Sequence, residues 1–210
     1  MVMNTFPPVQ PHDLLWGLPV AALPADAPAW VAEVIGLGHP VVVRRAQVAD
    51  GCVAVGVRGR TRDQRFALVM QRANISRCVK PEQLIDVATD SEWPALEGLR
   101  QIHPVMQKLG LPWGVAGSAG FELATGIPVL HQASDLDLIL RTPQFFSRQQ
   151  AAELVTALDG AICRIDLQLQ TPFGAVALRE WAGAARQVLL KADDGARLVG
   201  NPWQLQERAA

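Results

Sequence analysis

The chain has almost no net charge, few cysteines and no long apolar run, and each absence closes off a class of function. Its 210 residues carry 19 Lys and Arg against 20 Asp and Glu, a formal net charge of −1. Total charge therefore selects no partner. Three cysteines, Cys52, Cys78 and Cys163, are odd in number and widely spaced. They read as buried free thiols of a reducing compartment, not as a disulfide framework or a zinc site. No stretch of roughly 20 apolar residues is available to span a bilayer, because Leu14–Ala25 is broken by Pro19 and Pro24. MVMNTFPPVQPHDLLW lacks the basic start and clean apolar run of a signal peptide. A cytoplasmic protein with no membrane partner is expected. The histidines His12, His39, His103 and His131 show no metal-ligand spacing. There is no Walker loop, no G-x-S-x-G elbow and no Cys–His signature. Internal repeats and low-complexity tracts are absent too.

What is present is an ordinary globular balance, 50% hydrophobic and 19% charged, enough for one large domain or two small ones. Charge is unevenly placed. Residues 41–80 hold nine of the 19 basic residues against two acids, Asp50 and Asp63, a net of +7; the remaining ten basic and 18 acidic residues net −8. Such asymmetry points to a basic surface for an anionic partner. The same segment reads as β. Asp50-Gly51 between Val-rich runs is a type I′ hairpin signal, and QRFALVMQ reads as a further strand. Residues 7–28 are proline-rich and read as extended chain wrapping a domain. Pro81 fits the first turn of a short helix. The boundaries expected are 1–85 for a small basic β-rich domain and 86–210 for a second, α/β domain, giving an α+β protein.

The second half alternates. PALEGLRQIHPVMQKLG has helical period, with Pro104 a kink or break. WGVAG reads as a strand, SAGFELATG as a short helix and HQASDLDLIL as a strand. Ser147 to Gln150 fits a capping box, opening a helix to about Leu158. ICRIDLQLQ reads as another strand. FGAVALREWAGAARQVLLKADDG is read as a helix with Trp181, Ala184, Ala185, Val188 and Leu189 on one face and Lys191 near its C-terminal end. GARLVGNP reads as a last short strand.

One stretch carries chemistry. In ASDLDLIL the alternation of a strand puts Leu136, Leu138 and Leu140 on one face and Asp135, Asp137 and Ile139 on the other. The leucines pack on a core while both carboxylates leave it together. In ICRIDLQLQ, Asp166 lies on the polar side, opposite Ile165 and Leu167. If the two strands pair, three carboxylates converge, a ligand set for Mg²⁺ in displacement at phosphorus. A lone D-x-D is more often a solvated edge or a cap. Upstream, Gly117-Ser118 sits between a strand and a helix, where backbone amides approach an anion or Ser118 simply caps the helix.

In this order, Gly117-Ser118, Ser134-Asp135-Leu136-Asp137-Leu138 and Asp166 resemble the signature of the nucleotidyltransferase superfamily typified by DNA polymerase beta. Ser118 and Asp135 stand 17 positions apart, more than in minimal members, and TGIPVLHQ reads as a loop over the site, with His131 near the donor. Over roughly residues 12–200 the chain resembles one family more closely, the phosphoribosyl-dephospho-CoA transferase of malonate decarboxylase, also called its holo-acyl-carrier-protein synthase. HDLLW, VGVRGRTRDQRFA and GSAGFELATG…SDLDLIL carry this resemblance.

The resemblance implies a polymerase-beta-like catalytic domain and a defined reaction. The group is transferred from 2′-(5″-triphosphoribosyl)-3′-dephospho-CoA to a serine of the apo acyl-carrier subunit of malonate decarboxylase, and pyrophosphate leaves. Asp135, Asp137 and Asp166 would hold Mg²⁺, with Asp166 alternatively the base. Gly117 and Ser118 would hold distal phosphates. Arg58, Arg60, Arg62 and Arg65 would clamp donor phosphates or dock an acidic carrier. Two other readings stay open: a nucleotidyltransferase using an NTP and a small-molecule acceptor, and a non-catalytic carrier-protein-binding module. A nucleic-acid partner is not expected, since only Phe66 interleaves the arginines.

Overall fold

The computed structural model describes residues 8–61 and 63–204. The chain divides between Lys80 and Pro81 into two compact units; the boundary expected from the sequence lies at 85. Both helices and sheets are present, an α+β architecture. No helix among the described residues is long and apolar enough to cross a membrane.

The first unit is built on strands β1 (Leu14–Trp16), β2 (Val41–Val43), β3 (Cys52–Arg58), β4 (Arg65–Gln71) and β5 (Arg77–Val79), with the short helix α1 (Ala29–Gly36). They form a five-stranded sheet in the order β4-β3-β2-β1-β5, antiparallel at every pairing. Val53, Val55 and Val57 on β3 and Leu68 and Met70 on β4 point into a core with Leu15, Val31 and Val41. The proline-rich segment is therefore not only a wrap. Its Leu14–Trp16 is an interior strand, between β2 and β5, because Leu14 and Leu15 are the apolar residues that can be buried there. The expected two-residue hairpin at Asp50-Gly51 is replaced by a longer connection. Val43 pairs with Val55, so residues 44–51 lie between β2 and β3, and Gly51 takes a positive φ of 77° at the tight end of that link.

The second unit holds α2 (Pro94–Lys108), β6 (Trp113–Val115), α3 (Gly117–Thr125), β7 (Leu136–Arg141), α4 (Arg148–Leu158), β8 (Ile165–Thr171), β9 (Gly174–Ala177), α5 (Leu178–Ala182), β10 (Val188–Ala192) and β11 (Gly195–Val199). The sheet order is β11-β10-β9-β8-β7-β6. Among the described strands, only β7 and β8 are parallel. The α4 crossover joins them, as a parallel pair requires. α4 begins with the capping box expected: Ser147 Oγ accepts from Gln150 N at 3.1 Å, and Ser147 N donates to Gln150 Oε1 at 2.8 Å.

One expectation fails here. The long helix read across residues 173–195 is instead β9, the one-and-a-half-turn α5, β10 and the start of β11. Val188, Leu190 and Ala192 are buried while Leu189 and Lys191 are exposed, a period of two. The apolar positions fit a helical spacing equally well, and pairing with β9 and β11 decides between them. Lys191 is thus an outward residue of β10, not a helix-terminal one. Pro104 does not break α2, which runs unbroken to Lys108. Pro104 is exposed, where the carbonyl freed one turn back can be solvated.

A short 3₁₀ turn, Pro81–Leu84, packs on β6. Gly114 permits this approach, since any side chain there would overlap the backbone of Pro81 and Glu82. Glu82 Oε1 then meets Arg141 Nε at 2.8 Å.

Candidate active site

β7 and β8 position the acids. Leu136, Leu138, Leu140, Ile165, Leu167 and Leu169 are all buried, which fixes the alternation and turns Asp137 and Asp166 to the other face. Parallel pairing makes these two direct register partners, as it does Leu136 with Ile165 and Leu138 with Leu167. Their Cα atoms stand about 4.8 Å apart at ordinary strand spacing. Both are half-buried, so water only partly screens their repulsion.

Asp135 adjoins the strand rather than lying within it. β7 begins at Leu136, and Asp135 lies just before it. The backbone there is anchored by Leu136 N donating to Arg164 O at 2.9 Å. The preceding turn is closed by Ser134: its N–H donates to His131 O and its Oγ accepts from His131 N, both at 3.0 Å. His131 itself is exposed in that turn. The charge of Asp135 reaches Cys163, whose thiol pKa is pushed up by burial first and by Asp135 second. Among the described residues, no three His, Cys, Asp or Glu side chains already stand as a ligand group for a metal ion.

The Gly-Ser turn meets Asp137 directly. Ala116 N donates to Asp137 O at 2.9 Å, tying the end of β6 to β7. The next residue, Gly117, has a φ of +59° and starts α3. A Cβ at Gly117 would overlap the carboxylate of Asp137 at Oδ2. The position demands glycine for two reasons, its left-handed backbone and this contact. Ser118 occupies the first turn of α3. The result is a helix N-terminus with its partial positive charge, set against the Asp137 carboxylate.

One contributor carries no signal in the sequence. Glu122 Oε2 accepts from Val129 N at 2.7 Å and from Leu130 N at 2.8 Å, holding the long segment between α3 and β7 to the helix. A glutamate in a helix four residues before a glycine does not stand out for that role.

In the first unit, Arg58 and Arg65 face one another at the last register position of β3 and β4. Arg60 is exposed in the turn beyond them, which Gln64 Oε1 closes by accepting from Arg60 N at 2.8 Å. Arg65 donates to Gln64 O at 3.0 Å. Arg62 lies outside the described residues.

Residues 83–202 match the family model described as the phosphoribosyl-dephospho-CoA transferase MdcG C-terminal domain, and residues 10–81 match the corresponding N-terminal domain. The chain belongs to the phosphoribosyl-dephospho-CoA transferase family. It is accordingly an enzyme, a transferase. Phosphoribosyl-dephospho-CoA transferases from Pseudomonas putida strain GB-1 and Pseudomonas syringae pv. tomato are each 59% identical to it, over 201 and 204 residues. Each alignment covers 96% of this chain and 97–98% of the relative. The Azotobacter vinelandii transferase is 54% identical over 200 residues, covering 93% of this chain and 94% of its own length. No solved structure matches the chain. The two family domains meet at residues 81–83, beside the Lys80–Pro81 division of this transferase.

Proposed function

We propose that this transferase moves the 2′-(5″-phosphoribosyl)-3′-dephospho-CoA group from its 5″-triphosphate precursor to a serine of the apo acyl-carrier subunit of malonate decarboxylase. The serine Oγ–phosphorus bond forms at the α-phosphate. The α–β phosphoanhydride bond breaks, pyrophosphate leaves, and the serine proton passes to a base. The product is a phosphodiester on the carrier, and the reaction belongs in the cytoplasm.

The observation that carries this reading is the fit of Gly117 against Asp137, itself the register partner of Asp166. Helix amides and paired carboxylates side by side suit a phosphate and a cation held together. The donor set is all carboxylate oxygen, the chemistry of Mg²⁺ and not of a softer metal. Mg²⁺ held by Asp137, Asp166 and Asp135 would neutralise the triphosphate and acidify the serine hydroxyl.

The chain's own groups do the rest. The amides around Gly117 and Ser118 orient the distal phosphates, so that the leaving pyrophosphate is already bound. Asp166, where it does not serve as a metal ligand, is the carboxylate that would take the serine proton. Arg58, Arg60, Arg62 and Arg65 bind an anionic partner, donor phosphate or carrier carboxylate.

Purified protein, Mg²⁺, the triphosphate donor and apo carrier are expected to yield pyrophosphate and a carrier mass gain equal to the prosthetic group. A carrier with its acceptor serine replaced by alanine should gain nothing. Absence of any mass gain on an intact carrier would overturn the reading.

A further inference from the structure

A cavity of about 670 Å³ opens in the second unit, at the far end of the strand that carries Asp137. β7 ends at Arg141, and Thr142 to Phe146 line the cavity directly after it. The remaining wall comes from the C-terminal end of α2 with Leu109 and Leu111 just beyond it, and from Gln150 to Ala157 of α4. Its size lies within the roughly 300–1,000 Å³ common for small-molecule sites.

The lining says what kind of molecule fits. Val105, Leu109, Leu111, Phe146 and Leu154 make it mainly apolar. Gln144 and Gln150 add amides, and Lys108 and Glu153 are the only ionisable side chains among the described lining residues. Those two carry opposite charges, so the cavity offers no net positive charge to a phosphate chain. Gln150 is held rather than loose: its Oε1 is bonded to Ser147 N in the capping box, which leaves its Nε2 to donate. No nucleophile–base pair lines the wall among the described residues. This is a place to hold something, not a second reaction centre.

We infer that the cavity holds the pantetheine arm of the dephospho-CoA donor, the end of the substrate that does not react. Pantetheine is a chain of methylenes and a dimethyl carbon interrupted by two secondary amides. The methylenes match the Leu, Val and Phe wall, and the amide carbonyls match the donors of Gln150 and Lys108. Spacing agrees as well. From Asp137 to Thr142 the strand advances about 17 Å at the ordinary rise per residue. In the donor, two sugar rings and a diphosphate separate the reacting phosphate from the arm, a comparable reach. Binding the remote arm supplies energy that fixes the reacting end in place. The inference rests on the proposed donor, and its test is separable from the transfer reaction.

Ala157 is exposed and Val105 half-buried at the cavity wall, so Ala157→Trp and Val105→Trp fill the space without loading the core. Dephospho-CoA and ADP differ by the pantetheine arm. Titration calorimetry on the wild type is expected to show dephospho-CoA bound at least about tenfold more tightly than ADP, since several apolar CH₂ groups are buried. Each tryptophan variant, with its circular dichroism unchanged, should bind the two ligands alike. In turnover the KM for the full donor should rise about tenfold with the KM for carrier unaltered. A dephospho-CoA preference that survives in both folded variants overturns the inference. So does a rise in the carrier KM alone, which would make the cavity a docking point for the protein acceptor. A wild type that transfers nothing to carrier overturns the proposed reaction, and the dephospho-CoA-against-ADP comparison still decides the cavity.

Discussion

Gly117 is packed so closely on the carboxylate of Asp137 that any side chain at position 117 would overlap Oδ2. The two residues lie 20 positions apart, on different elements, and the contact makes the glycine part of the acid's geometry. Gly117→Ala should therefore damage activity more than stability. The left-handed backbone costs alanine about 1 kcal/mol. Displacing Asp137 should lower the transfer rate about 100-fold. Carrier mass shift against time, beside a thermal melt, measures both; a variant with near-normal rate would show that the contact does not position the acid.

Asp137 and Asp166 repel as register neighbours on parallel strands. Asp137→Asn keeps the shape and removes one charge. In EDTA the variant should melt slightly higher than the wild type, by up to about 1 kcal/mol of stability, yet fail to transfer. Added Mg²⁺ should raise the melting temperature of the wild type and not of the variant. An equal Mg²⁺ response in both proteins would remove Asp137 from the metal site.

Arg141 and Glu82 meet through one hydrogen bond of 2.8 Å, with the arginine side chain only 15% exposed. Arg141 Nη2 and Glu82 Oε2 are buried without a hydrogen-bond partner. Removing the acid leaves an uncompensated cation, so Glu82→Ala should cost about 3 kcal/mol in urea unfolding. The double variant Glu82→Leu, Arg141→Met should recover most of that loss. A silent Glu82→Ala would mean the pair is solvated in solution.

The Cys78 thiol is pushed up to about 11 from an ordinary 9.0, chiefly by burial and next by the Asp13 carboxylate. It donates to Asp13 Oδ2 at 3.8 Å. The folded state therefore holds this proton more tightly than the unfolded chain. Its contribution to stability is present below pH 9 and lost as pH climbs from 9 toward 11. Iodoacetamide alkylation of Cys78, followed by mass spectrometry, should keep accelerating to about pH 11, because only the thiolate reacts. A plateau near pH 9, as for an open thiol, would contradict the burial.

Much of the site is legible in the amino-acid order alone. Leucines at 136, 138 and 140 define the inward face of one strand, and Ile165 and Leu167 that of the other. The acids between them must then face outward, because side chains alternate. The Ser147–Gln150 capping box is equally readable, since both partners lie within one turn. Asp135 falls one residue outside β7 because the start of that strand depends on where pairing with β8 begins. The segment 173–195 reads wrongly as helix because Trp181, Val188 and Leu189 suit a helix as well as short strands. Only neighbouring strands can choose between those periods.

The local pattern by itself determined the leucine-lined inward face of β7 and of β8 and where α4 starts, and together with the family resemblance it made Gly117, Asp137 and Asp166 candidates for one site. Those features depend on side-chain alternation and on hydrogen bonds within a few residues, which order along the chain already contains. The tertiary structure decided that Asp137 and Asp166 are partners in register, that Gly117 closes on Asp137, and that a cavity opens where β7 ends. These are contacts between elements tens of residues apart. They follow from sheet order and packing, which no local periodicity encodes.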